Sequence, residues 1–202
     1  MHWRVESADG KIGDKRWIKF WEWPLEEQRL FIDRLNCNFF ANEGYIDDTF
    51  ARMDGFYYLL CLRNGVDRCI SHYRHVLRLG KGAGTVQSLL DAPKKHQGLF
   101  KFNYATYQLS GRKVLGFDAQ AVEIAKRNLA LFDHIIFSET YDANMDKLIV
   151  DFGWNRPAKL PKRNTSSEDD GVKVQLTADV RAGLADLNGS DQAVFEWALE
   201  QR

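Results

Sequence analysis

Arg63 and Ser71 stand eight residues apart, and both carry side chains suited to a phosphate. A guanidinium binds phosphate oxygens bidentately, and a hydroxyl adds one more donor. Both lie in Cys61–His75, read as CLRNGVDRCISHYRH, directly after the apolar run FYYLL at 56–60. That run predicts a strand over 56–62, with Arg63 at its carboxyl end. Asn64-Gly65 predicts a tight turn. Val66, Cys69, Ile70, Tyr73 and Val76 recur at helical spacing and predict a helix over 66–79. Ser71 then lies about two turns into that helix. Ligands of open α/β sheets bind at the carboxyl ends of strands. A plainer reading pairs Arg63 with a carboxylate such as Asp67 and leaves Ser71 as an ordinary helix serine.

The remaining elements must position this pair. Pro24 followed by Glu26 and Glu27 predicts a helix to about Leu35. A short helix is expected over 85–90, and helical or irregular chain over 100–111. An amphipathic helix over 119–131 leads into a second strand over 133–138. A helix over 144–152 is stopped by Gly153, Thr177 caps a short helix, and 190–201 forms another. The aromatic run Arg16–Trp23 reads as an edge strand or a lid. Gly80–Thr85 (GKGAGT) is not a phosphate loop. It follows a helix rather than a strand, and its lysine precedes the glycines that should come before it. It reads as a helix C-cap and a turn.

Composition sets the class. A chain of 202 residues with 45% hydrophobic content supports one domain with a sizeable core. The 28 basic residues balance 28 acidic ones, which argues against a dedicated nucleic-acid binder. Cys37, Cys61 and Cys69 have no zinc or redox spacing, and Cys61 and Cys69 read as buried thiols. No apolar run reaches the ~20 residues a membrane span needs. No signal peptide is recognisable, so the expected location is cytoplasmic. His72 and His75 fall off the buried helix stripe and read as surface histidines, and His96 and His134 form no metal spacing with a neighbour. No metal is expected. Asn164 and Asn188 head two N-x-[ST] sequons.

The motif Arg63-x4-Arg68-x2-Ser71-x-Tyr73 resembles the 3′-phosphate-binding motif of sulfotransferases that use 3′-phosphoadenosine 5′-phosphosulfate (PAPS). It is nearest the carbohydrate 2-O-sulfotransferase-like branch, with Gly65 where a proline is usual. Asn103, Thr106, Leu109, Ser110 and Gly111 resemble that branch's N-x-x-T-x-x-L-S-G segment. The run SETYDANMDKLIVDFGW resembles its G-x-T-E … L … G-W region, and LTADVRAGLADLN … DQAVFEWAL resembles its carboxyl-terminal end. The likeness spans 56–202. It implies a single α/β domain of the P-loop-NTPase-like sulfotransferase fold, a parallel sheet flanked by helices. Residues 1–55 would be a diverged or truncated part in which the first strand is missing or replaced.

What the resemblance implies for chemistry follows residue by residue. Arg63 and Ser71 would hold the 3′-phosphate of PAPS, with Arg163 and Ser166 of a late loop adding nucleotide contacts. Asn103, Tyr104 and Tyr107 would line the cleft for a carbohydrate hydroxyl. Glu43, in Asn42-Glu43-Gly44, is the candidate base. The family's 5′-phosphosulfate loop, K-T-[GA]-[GST]-[ST], is not found. A fragment or misplaced start, a replacement strand at Arg16–Trp23, and an unrecognised loop all remain open. The alternative to a transferase is a non-catalytic nucleotide- or glycan-binding relative that lost the donor loop.

Overall fold

A computed structural model describes residues 23–35, 45–46, 50–80, 85–156 and 176–201. These form a mixed α/β structure, mostly helical, around one parallel strand pair. Strand β1 (Leu59–Leu62) runs beside β2 (His134–Phe137), with Leu59 opposite His134 and Leu62 opposite Phe137. The ladder starts three residues later than the apolar run predicts, and Asp133 accounts for this. Its carboxylate accepts the Tyr58 N–H at 2.7 Å, while Tyr58 O accepts from the N–H groups of Asp133 and His134. Asp133 thus closes the amino end of the pair, and Arg52 braces it at 2.7 Å.

Alternation along the strands sets two faces. Leu60, Leu62, Ile135 and Phe137 join a core with α5 (Tyr104–Ser110), α6 (Ala119–Leu129) and α9 (Gly189–Glu200). Cys61 points the other way and is exposed, which corrects the expectation of a buried thiol there. Cys69 is fully buried, as expected, and burial pushes its thiol up to about 11. The Cys61 thiol is also raised, first because the neighbouring chain partly screens it from water and then by Glu139, with Arg63 opposing. Alkylation at pH 8 followed by peptide mapping should therefore modify Cys61 slowly and leave Cys69 unmodified until the protein unfolds. Native-state labelling of Cys69 ahead of Cys61 would contradict this burial.

Helix α2 (Gly65–Arg78) forms where the stripe predicts it. Asn64 caps it, its Oδ1 accepting from the N–H groups of Val66 and Asp67. The helix ends at Arg78 with Leu79 as its carboxyl-terminal cap, beyond which Gly80 takes φ +65°. Its apolar face meets α3 (Val86–Asp91), α4 (Pro93–Phe100) and α8 (Ala178–Leu187) through Leu89, Phe100, Phe102 and Leu184. Thr85 and Thr177 cap α3 and α8 through their hydroxyls. Sequence reading missed α4. Its segment PKKHQGLF buries only Phe100, so no apolar period marks it, although Pro93 sits at a start position. The other described helices are α1 (Leu25–Leu35) and α7 (Tyr141–Asp151), the latter entered from β2 through a 3-10 turn at Ser138–Thr140. No described helix is long and apolar enough to cross a membrane.

Gly65 explains why no larger residue starts α2. A Cβ there would lie 2.9 Å from the Asp191 Cβ and 3.2 Å from the Asn188 Cβ, both fully buried side chains. Gly65→Ala should cost about 1–3 kcal/mol through overpacking. Urea denaturation checks this, and an unchanged midpoint would show that the α2–α9 approach is looser than the geometry implies.

Candidate anion site at the strand ends

The parallel register brings two turns together at the carboxyl ends of β1 and β2. Arg63 continues the alternation of β1 onto the face of Cys61, and it is exposed. It makes no hydrogen bond or ion pair with any described residue. Asp67, the carboxylate that could have claimed it, instead pairs with Arg181 at 3.5 Å. Ser71 lies on α2 opposite the buried stripe and is half-buried; its hydroxyl bonds to no described residue. The strand-end guanidinium and the helix hydroxyl are thus both left with donor capacity.

Asn64 anchors the turn between them. Its N–H donates to Glu139 Oε1 at 2.9 Å, across from the start of the 3-10 turn. Its Nδ2 donates to Gln192 Oε1 at 3.2 Å, and Gln192 Nε2 donates to Glu196 Oε1 at 2.6 Å. Glu139 and Arg63 both act electrostatically on the Cys61 thiol, the carboxylate raising its pKa and the guanidinium lowering it. In the sequence Glu139 is one letter of the SETYDANMDKLIVDFGW run. That it holds Asn64 depends on the strand register, which no local signal gives.

Arg68 has a different task. Its Nη2 donates to Phe100 O at 2.8 Å and Lys101 O at 2.7 Å, the carbonyls at the end of α4. Its guanidinium lies 5.1 Å from the Tyr104 ring centroid. Burial lowers its pKa, with the Asp191 charge opposing. Arg68 therefore ties α2 to α4 and α5.

Asn103 is a correction to the cleft expectation. It is fully buried with φ +53°, a left-handed conformation that asparagine tolerates. Its Nδ2 donates to Gly116 O at 2.7 Å and Leu187 O at 3.0 Å, and its Oδ1 accepts the Asp191 N–H at 3.0 Å. Its own N–H donates to Asn188 Oδ1 at 3.0 Å. Both side-chain ends are committed inside the protein. Because Asn103 cannot cap α5, Asp191 does so from α9, accepting from Ala105 N–H, Thr106 N–H and the Thr106 hydroxyl at 3.2, 2.7 and 2.8 Å. Ser110 donates to Thr106 O, and Gly111 ends α5 at φ +69°. The N-x-x-T-x-x-L-S-G pattern is thus the wiring of one helix.

Tyr104 and Tyr107 do come together, with ring centroids 6.5 Å apart, and both are half-buried. Lys101 Nζ lies 5.0 Å from the Tyr104 centroid, and Lys113 Nζ lies 5.7 Å from that of Tyr107. Tyr45 lies beside Tyr107 at 5.2 Å. This aromatic and cationic surface adjoins Arg68, on which the Arg63 charge also acts. Glu43, Arg163 and Ser166 lie outside the described residues, as do most of Arg16–Trp23 and residues 81–84.

His72 is half-buried with Nε2 3.0 Å from Leu99 O, and burial followed by the Arg68 charge lowers its pKa. His75 is exposed, in line with the helix stripe. Among the described residues, no three of the histidine, cysteine and acidic side chains are grouped to hold a metal ion. No family model, curated protein or solved structure matches the chain.

Proposed function

We propose that this chain binds a 3′-phosphorylated adenine nucleotide at the strand ends and acts as a PAPS-dependent sulfotransferase on a carbohydrate hydroxyl. The observation that carries the reading is Arg63: an exposed guanidinium at the carboxyl end of a parallel strand, without a carboxylate partner among the described residues, leading into the helix that bears Ser71. A dianionic phosphate suits that pair, and the charge-assisted bonds it would form are the strong kind. The motif order quoted above supplies the rest of the proposal: the sulfotransferase fold for the whole chain, nucleotide contacts from Arg163 and Ser166, and Glu43 as base. Tyr104 and Tyr107 remain the candidates for the acceptor surface, since aromatic rings suit the apolar faces of sugars.

Sulfuryl transfer forms a bond from the acceptor oxygen to sulfur and breaks the bond from sulfur to the phosphate oxygen. The acceptor proton leaves to the base, and adenosine 3′,5′-bisphosphate is the other product. Positioning and charge stabilisation carry most of such a displacement. Arg63 and Ser71 contribute by fixing the nucleotide through its 3′-phosphate, away from the reacting bond.

The test is a thermal melt with adenosine 3′,5′-bisphosphate. At a hundredfold excess over the dissociation constant the nucleotide should add about 2.7 kcal/mol, raising Tm by about 5–10 °C. Arg63→Ala should remove the shift while leaving the unliganded Tm nearly unchanged. No shift at millimolar nucleotide would remove the proposal. A shift without turnover of PAPS on any acceptor would favour the nucleotide-binding relative.

A further inference from the structure

We propose that Glu139 is a positioning residue for the anion site, holding the β1–α2 turn so that Arg63 projects toward a phosphate; this rests on the nucleotide reading above. Arg63 is bracketed by two restraints. On one side Leu62 is paired with Phe137 at the end of the ladder. On the other, the Asn64 N–H is held by Glu139 Oε1 at 2.9 Å. Arg63 itself makes no side-chain bond with a described residue, so what these neighbours set is the place of its backbone, from which the side chain departs.

The Glu139 bond does more than close a turn. Asn64 is the residue whose Oδ1 caps α2 through Val66 and Asp67, and whose Nδ2 reaches Gln192 on α9. A shift of Asn64 would therefore move the strand exit, the first turn of α2 and the contact to α9 together. An acceptor oxygen at position 139 is what fixes it. Misplacement of a binding group by about 1 Å is enough to cost much of its interaction.

Two substitutions separate the bond from the charge. Glu139→Gln removes the charge and keeps an oxygen that can accept from Asn64. Glu139→Ala removes both. If Glu139 positions Arg63, the alanine variant should bind adenosine 3′,5′-bisphosphate at least tenfold more weakly than the glutamine variant in calorimetric titration. Glutamine should bind at least as tightly as wild type, because a negative charge beside the phosphate has gone. A purely structural role would lower the unliganded Tm of the alanine variant without separating the two dissociation constants. Equal affinities for the two variants overturn the proposal. If wild type binds and Arg63→Ala does not, equal affinities sink the role of Glu139 alone. If wild type fails to bind, the nucleotide reading and this inference fall together.

Discussion

Asp191→Ala should destabilise the protein by about 3–5 kcal/mol, the largest effect expected from any single polar substitution here. The carboxylate is fully buried and serves three donors of α5: the Ala105 and Thr106 N–H groups and the Thr106 hydroxyl. Alanine leaves these three in the core without an acceptor, and each unsatisfied donor costs about 1–3 kcal/mol. Relaxation of the site brings the total below the simple sum. Burial raises the Asp191 pKa, and the bonds from Thr106 and Ala105 and the Arg68 charge offset only part of that rise. The two N–H groups can only donate, so both need the acceptor that the carboxylate supplies. Asp191→Asn keeps one acceptor oxygen but turns an amide toward the same donors, so it should lose a substantial part of that stability. Urea titration of both variants checks the order. An alanine variant within 1 kcal/mol of wild type would mean that α5 finds another cap.

Arg68→Ala should cost about 2–4 kcal/mol, from two charge-assisted bonds to carbonyls and one cation–π contact. The two bonds run to Phe100 O and Lys101 O, where α4 ends with Lys101 at φ +48°. Arg68→Lys should not restore the loss. A lysine offers a point charge, whereas the planar guanidinium bonds to both carbonyls while resting against Tyr104. The two arginines of the motif therefore separate by assay. Arg68→Ala should lower Tm while the folded fraction still responds to nucleotide. Arg63→Ala, an exposed substitution, should stay within about 0.5 kcal/mol of wild-type stability and lose the nucleotide response. Loss of nucleotide binding in a fully folded Arg68→Ala protein would reassign Arg68 to the anion site.

This contrast also shows how far residue types alone reach. The α2 stripe was legible because Val66, Cys69, Ile70, Tyr73 and Val76 obey a local period, and all five are buried. Both strands were legible as apolar runs, though not the residue at which β1 begins. That boundary belongs to Asp133, which bonds to Tyr58 from 75 positions away. Cys61 was misread because an apolar run does not say which face of a strand is covered. Arg63 and Arg68 look alike in a motif. One is left at the surface, and the other is spent on the carbonyls of a helix that carried no apolar pattern. Asn103 looked like a ligand for a sugar because asparagine suits that task. Its left-handed backbone and its partners at 116, 187 and 191 are tertiary facts. The sequon at Asn188 is similar: the side chain is buried, donating to Leu184 O and accepting from Asn103, so a glycan cannot sit there in the folded protein.

The capping of α5 from position 191 has a consequence for the order of events in folding. The amides at 105 and 106 wait for a carboxylate 85 or 86 residues downstream. On the ribosome, α2 and α6 can form from their own local patterns, but the amino end of α5 cannot be completed until α9 has been made. Contacts of such separation carry a loop-closure cost before they give anything back, and they slow folding. A nascent chain stopped between α7 and α9 would hold Leu109, Leu129 and Phe137 without Val194 and Ala198 to cover them. Premature termination there should yield a species that aggregates or is degraded rather than a smaller stable domain.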